Sequence, residues 1–141
     1  TNEVGEAHAL HWQQKVDVIR QAEQRYREYL MEDAEYALVA FGTCGRIAES
    51  AVDLLRGQGI KAGLLRPVTL WPFPEVGFHK RLPQIKAWMS VELNTGQMVE
   101  DVRLAVNGQA PVGFYGRLGG MTPEPEEVAE AFMRFIRGEG A

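Results

Sequence analysis

The sequence predicts an α/β protein, a three-layer α/β/α sandwich built on a mainly parallel sheet. Three observations carry that expectation. Two apolar runs of strand length, YALVAF at residues 36–41 and the run at residues 87–93 that closes on Glu92 and Leu93, lack the strict alternation of a half-exposed strand. Such runs suit strands covered on both faces. Each run passes through a tight turn of small and polar residues into a helical pattern. Runs and helical patterns then alternate along the chain, so that each crossover helix returns the chain to the starting end of the sheet and the strands pair in parallel.

Taken in order, Trp12, Val16, Ile19, Tyr26 and Leu30 recur at helical spacing among Glu, Gln, Arg and Lys, which predicts an amphipathic helix over residues 11–30. Glu32, Asp33 and Glu35 break the pattern, dividing a connector at residues 1–33 from an α/β domain at residues 34–141. The connector's apolar stripe packs either on its own domain or on a preceding one. After the strand at 36–41, Gly42-Thr43-Cys44-Gly45 opens a helix buried along Ile47, Ala51, Leu54 and Leu55, and Gly57 and Gly59 stop it. Residues 60–65 supply a strand. Pro67, Pro72 and Pro74 punctuate the next stretch, where Pro74 starts a short helix carrying Val76, Phe78 and Leu82.

The strand at 87–93 is followed by Asn94-Thr95-Gly96-Gln97 and a helix with Met98, Val99, Val102, Ala105 and Val106 on one face. A short strand at 112–115, a loop at 116–120 and a last helix opened by Thr122-Pro123, with Val128, Ala131, Phe132, Phe135 and Ile136 inward, complete the domain. In a doubly wound sheet the strands at 36–41 and 87–93 are neighbours, and their following turns diverge at the carboxyl edge to open a crevice. Two helix amino termini border it, which predicts a mildly electropositive site for an anion or for a partner's carboxylate.

Composition narrows the function. A net charge of -4 with Lys and Arg scattered argues against a nucleic-acid partner. No apolar run approaches the roughly 20 residues of a membrane span, and the first residues are polar, so no membrane partner and a cytoplasmic location are expected. One cysteine forms neither an internal disulfide nor an iron–sulfur site, which places any cluster on another chain. The sequence begins at Thr1 rather than Met, and is expected to be part of a longer subunit.

Candidate site residues follow from the two turns: Gly42, Thr43, Cys44 and Gly45 at the first, Glu92, Asn94, Thr95, Gly96 and Gln97 at the second, as an anion site or an interface. A GxGxxG dinucleotide fingerprint would need glycine where Cys44 and Ile47 stand, and the next strand ends in Arg66-Pro67 rather than an acid for a ribose. Thr43 Oγ is expected to cap the first helix, and Asn94 and Thr95 the second. Cys44, near a helix amino terminus, is expected to have a lowered thiol pKa, although no base can be assigned to it. Glu92 is the carboxylate expected to meet a ligand or neighbouring subunit. Glu100 and Asp101 face their own helix dipole. His8 and His11 lie one helical turn apart with no further ligand, so neither a metal site nor a catalytic residue is assigned. Trp71, Phe73 and Phe78 form an aromatic cluster that is either satellite core or, as its sparse regular structure favours, a subunit contact.

The segment VELNTGQMVEDVRLAV, with LLRPVTLWPFPE upstream and GFYGRLGGMTPEPEEV downstream, resembles the second domain of the alpha subunit of 2-oxoacid:ferredoxin oxidoreductases of the 2-oxoglutarate or 2-oxoisovalerate type. That domain is similar to the carboxyl-terminal domain of transketolase. The resemblance runs from about residue 34 to residue 136 in order and nearly without gaps. It implies a strand order of 60–65, 36–41, 87–93 and 112–115, often with an antiparallel edge strand, for which the sequence offers no convincing candidate. It also implies that the parent enzyme decarboxylates a 2-oxoacid on thiamine diphosphate and magnesium, passes electrons through iron–sulfur clusters to ferredoxin, and gives the acyl group to coenzyme A. The other domains of the same subunit and a beta subunit are the implied partners, with gamma and delta subunits as further candidates. The GDG-plus-asparagine pattern of diphosphate binding is absent. The expectation for this chain is therefore a structural and interface domain that binds none of those cofactors. The alternatives are a site for a small anion, a coenzyme A phosphate or an effector, and a free-standing interaction module.

Overall fold

The structure, a computed structural model, describes residues 1–139. The last two residues of the expected 34–141 domain lie outside the described residues. Along the chain come α1 (Asn2–Ala22), β1 (Tyr26–Tyr29), β2 (Tyr36–Ala40), α2 (Thr43–Gly57), β3 (Ala62–Pro67), α3 (Glu75–Arg81), β4 (Trp88–Glu92), α4 (Met98–Val106), β5 (Val112–Gly116) and α5 (Pro125–Ile136). The sheet order is β1-β3-β2-β4-β5, parallel throughout except where β1 runs antiparallel to β3. The four central strands stand in the expected order. β2 and β4 are neighbours, with Ala37 opposite Trp88 and Ala40 opposite Val91.

The continuous apolar character of the central strands has a direct cause. Leu38, Ala40, Leu64, Met89 and Val91 pack with Ala48, Val52 and Leu55 of α2 and Val128 and Phe132 of α5. The alternate residues Ala37, Val39, Leu65 and Trp88 pack with Phe78 of α3 and Val102 and Val106 of α4. A strand with a helical layer on each face has no polar side, so its sequence does not alternate.

The amino-terminal segment departs from the sequence reading. The helix ends at Ala22, and Tyr26–Tyr29 is the antiparallel edge strand for which no candidate was evident. Tyr26 fits the helical spacing of Trp12 and Ile19, and YREY, with Arg27 and Glu28 between its tyrosines, does not alternate. Tyr26 packs on the α3 and α4 side, where a Cβ on Gly77 would lie 2.8 Å from its ring. Tyr29 faces the other layer and donates its hydroxyl to Asp53 of α2 at 2.8 Å. An open strand edge on β3, offering unpaired N–H and C=O groups, outweighs the local helical preference. The sheet therefore begins before Ala34. Two boundaries also shift: Ile60 donates its N–H to Leu55 O at 3.0 Å, closing the turn after α2, so β3 starts at Ala62. Glu127 reaches back to the Glu124 N–H at 2.7 Å, so the last helix opens at Pro125 rather than at Thr122-Pro123.

β1 is held to the domain by a buried cation. Arg81, with only 7% of its side chain exposed, donates Nε to Glu28 Oε2 at 2.6 Å and Nη2 to Glu28 Oε1 at 3.2 Å and Glu32 Oε1 at 3.1 Å. Burial, the largest single influence on Glu28, pushes its carboxyl up, but hydrogen bonds and charge from Arg81 and Lys80 together outweigh it and hold the carboxyl below its ordinary value. Arg81→Ala strands a half-desolvated carboxylate and is expected to cost about 3 kcal/mol in urea unfolding. Glu28's contribution is fully present above the ordinary glutamate pKa and is lost as pH falls through its depressed folded value, so the acid side of the wild-type stability profile should be steeper than that of Arg81→Ala.

Candidate functional site at the carboxyl edge of the sheet

β2 leads into α2 on one face of the sheet and β4 into α4 on the other, so the two turns part and leave a crevice of about 530 Å³ between them. Of the residues predicted for the site, Gly42, Thr43, Cys44, Glu92, Asn94 and Gln97 line it. Gly45, Thr95 and Gly96 do not. Gly45 is instead a packing position, where a Cβ would run into Arg66 Nε. Gly96, at φ 108°, gives its N–H to Asn94 Oδ1 at 2.8 Å, closing the turn.

The chemistry of the crevice centres on Glu92. Its Oε1 accepts the N–H groups of Gln97 at 3.0 Å and Met98 at 2.7 Å, and its Oε2 accepts the N–H of Val99 and the hydroxyl of Ser90, both at 3.0 Å. Four donors satisfy a carboxylate that is only 5% exposed. Glu92 thus caps α4, the role expected of Asn94 and Thr95. It does so because a carboxylate at the end of the buried strand reaches the first turn of the following helix from below, while Asn94 is used within the turn. The amino terminus of α4 is filled by the chain's own anion. α2 has Gly42 at its N-cap and no capping side chain, so Thr43 does not serve that end as expected.

The electrostatics follow. Among the described residues no lysine or arginine lines the crevice, and Asp101 joins Glu92 in it. The Asp101 carboxyl is pushed up by burial first, then by the Glu75, Glu92 and Glu100 carboxylates. The crevice is therefore acidic, where two helix dipoles alone predict mild electropositivity. Cys44 is buried, and desolvation followed by the Glu92 charge raises its thiol pKa, reversing the expected lowering. His8 accepts the indole N–H of Trp12 at 2.8 Å.

The aromatic group divides in two. Phe78 is fully buried, 5.3 Å from the Phe73 ring and 5.0 Å from Trp88, so both phenylalanines belong to the α3 and α4 core. Trp71 stands 58% exposed. The walls of the crevice also include Phe41, Leu70, Val91, Leu93 and Met98, none assigned to a site from sequence, and Asp101, expected from sequence to have only a structural role facing its helix dipole. Phe41 and Leu93 were legible in principle, because each follows directly the carboxyl end of a strand at the topological switch. Leu70 was not, since its place depends on the path of a proline-rich loop.

Residues 34–128 match the family described as pyruvate:ferredoxin oxidoreductase core domain II. The chain belongs to that family. Among curated proteins this family member is 42% identical over 127 residues to the ketoisovalerate oxidoreductase subunit VorB of Methanothermobacter marburgensis, a match covering 90% of this chain and 36% of that protein. It is 30% identical over 102 residues to the 2-oxoglutarate synthase subunit KorA of the same organism, covering 72% of this chain and 27% of that protein. The core domain II chain thus spans about a third of the length of the curated relatives it matches. In fold it is similar to a 2-oxoglutarate:ferredoxin oxidoreductase from Magnetococcus marinus with 2-oxoglutarate, coenzyme A and succinyl-CoA bound, at TM-score 0.72 and 20% identity, over 85% of this chain and 21% of that one. It is also similar to a split-gene transketolase described as an inactive beta4 tetramer, at TM-score 0.68 and 18% identity, over 82% of this chain and 42% of that one. The expected likeness to a transketolase domain therefore holds for the fold.

Glu92→Ala removes the acceptor for three first-turn N–H groups and is expected to destabilise the chain by about 3 kcal/mol in chemical denaturation. Amide exchange at Met98 and Val99 should accelerate well beyond that of the other helices. Glu92→Gln should cost less, since one carbonyl oxygen remains to accept while its amide group faces donors.

Proposed function

We propose that this core domain II chain is one domain of the alpha subunit of a 2-oxoacid:ferredoxin oxidoreductase, where it buttresses the thiamine-binding domains and forms subunit interfaces without supplying a catalytic group. The observation that carries the reading is the carboxyl edge of the sheet, where Phe41, Leu70 and Leu93 stand exposed around an acidic crevice, with exposed Trp71 following Leu70 in the chain. That combination suits a polypeptide better than the anionic substrates and cofactors of a 2-oxoacid enzyme.

The residues present do not fit a magnesium diphosphate. Glu92 occupies the N–H groups of the α4 amino terminus, Asp101 adds a second carboxylate, and no lining cation among the described residues offsets them. No three metal-ligating side chains converge among the described residues. Binding thiamine diphosphate, carrying electrons through iron–sulfur clusters to ferredoxin and accepting the acyl group on coenzyme A are therefore assigned to the rest of the assembly. The greater identity to the ketoisovalerate subunit than to the 2-oxoglutarate subunit supports a branched 2-oxoacid as the substrate of the whole enzyme. The second reading, an anion held between the turns, keeps only the uncapped amino terminus of α2 in its favour.

Calorimetry of the isolated chain with thiamine diphosphate and magnesium should detect no binding, and micromolar affinity would overturn this division of labour. In the full-length subunit, Trp71→Ala should weaken association with the beta subunit by about tenfold while leaving the subunit's own melting temperature nearly unchanged. Equal losses in both measurements would return Trp71 to the core. The reconstituted complex should turn over branched 2-oxoacids faster than 2-oxoglutarate or pyruvate.

A further inference from the structure

Two uncovered apolar surfaces lie apart on this domain. One is α1, which has no buried residue and exposes Val4, Leu10, Trp12 and Val18 along its length. It leaves the domain beside the edge strand β1. The other is the crevice between β2 and β4, separated from β1 by β3. Two separate faces call for two neighbours, and the helix continuous with the chain suits the rest of its own subunit.

The crevice selects its neighbour by charge as well as by shape. Glu92 is saturated by its four donors, but the Asp101 carboxylate makes no hydrogen bond or ion pair among the described residues. Glu75, Glu92 and Glu100 all act on it with the same sign. Arg103, the one basic residue of α4, is turned to Glu100 at 3.1 Å. Around Asp101 stand Phe41, Leu70 and Leu93, all substantially exposed. A negative group in an apolar wall repels phosphates and carboxylates, and it lacks the further donors that a metal ion needs. A guanidinium satisfies both features at once, because its planar fork bonds a carboxylate while its face lies on an aromatic ring.

We infer that the crevice receives a segment of a partner subunit that seats an arginine against Asp101 and lays apolar side chains on Phe41, Leu70 and Leu93. This rests on the interface role proposed above and specifies the face used and the chemistry of its occupant. The relatives are named as subunits, which supports a partner chain as the occupant.

The test uses the full-length subunit in the reconstituted complex. With the photoreactive residue p-benzoylphenylalanine in place of Leu93, irradiation should yield a cross-link to an arginine-containing peptide of another subunit. A cross-link within the same subunit, to a second copy of it, or to no polypeptide would overturn the inference. Asp101→Asn should raise the dissociation constant for the partner subunit by at least about tenfold and flatten its salt dependence, and Asp101→Lys should raise it further. The melting temperature of the Asp101→Asn subunit alone should be unchanged or higher, because the amide removes a carboxylate that its neighbours repel. Glu130→Gln, which alters an exposed charge on α5 outside the crevice, should leave association unchanged. If Trp71→Ala weakens association and Asp101→Asn does not, this inference fails while the interface role stands. If neither variant changes association, both fail.

Discussion

Much of this domain's geometry depends on one buried carboxylate. Glu92 stands at the end of β4, and its two oxygens take the first-turn N–H groups of α4 together with the Ser90 hydroxyl. Removing a carboxylate from water is tolerable only when hydrogen bonds replace the lost hydration, and the charge then gains from the helix dipole it faces. The same contacts tie the strand to the helix across residues 93–97. This fixes where α4 leaves the sheet, how far the turn lies from that of α2, and so the width of the crevice. The charge that builds the crevice also makes it acidic: burial and then Glu92 raise the Cys44 thiol, and burial followed by Glu75, Glu92 and Glu100 raises the Asp101 carboxyl.

A second constraint acts at the other flank. A parallel sheet of four strands would leave β3 as an open edge, with a row of backbone groups ready to pair with another chain. β1 closes that edge, with Tyr26 opposite Pro67 and Tyr29 opposite Leu64. Four residues of backbone pairing hold a strand weakly, so side chains reinforce it from both layers: Glu28 to Arg81 on the α3 side and Tyr29 to Asp53 on the α2 side. Arg56 adds Nη2 to Leu30 O at 2.7 Å and pairs with Asp33 at 2.7 Å, securing the turn after β1 at the point where Leu30 takes a positive φ of 53°. The domain's edge is therefore electrostatic and polar, whereas its centre is apolar.

These two features were legible in the sequence to different degrees, for physical reasons. That the strands at 36–41 and 87–93 are neighbours with diverging turns followed from periodicity and handedness, because continuous apolar runs such as YALVAF admit few arrangements other than a covered parallel sheet, while the full strand order was implied by the family resemblance. The role of Glu92 did not follow. Local capping chemistry pointed to Asn94 and Thr95, while the acting cap lies five to seven residues before the N–H groups it serves. Such a span is set by how the strand end sits beneath the helix, which sequence spacing does not encode. β1 failed in another way. Its four residues carry their rings at helical rather than alternating spacing, and only the open edge of β3 makes them a strand. The aromatic group was read as one unit because Trp71, Phe73 and Phe78 are close in sequence, yet the loop turns Phe73 and Phe78 inward and leaves Trp71 in solvent.

The position of Glu92 also bears on how a common fold changes use. In doubly wound α/β domains the crevice at the topological switch is where ligands bind, and a helix amino terminus there commonly receives a phosphate. Here the switch lies between β2 and β4, and the α4 amino terminus already holds an anion that belongs to the protein. An internal carboxylate competes with any phosphate for the same N–H groups and repels it by charge. The crevice that remains has apolar walls and negative charge, properties that disfavour the ligands of the fold and favour a basic, apolar polypeptide surface. On the interface reading proposed above, one residue at the end of one strand closes a helix amino terminus to outside anions.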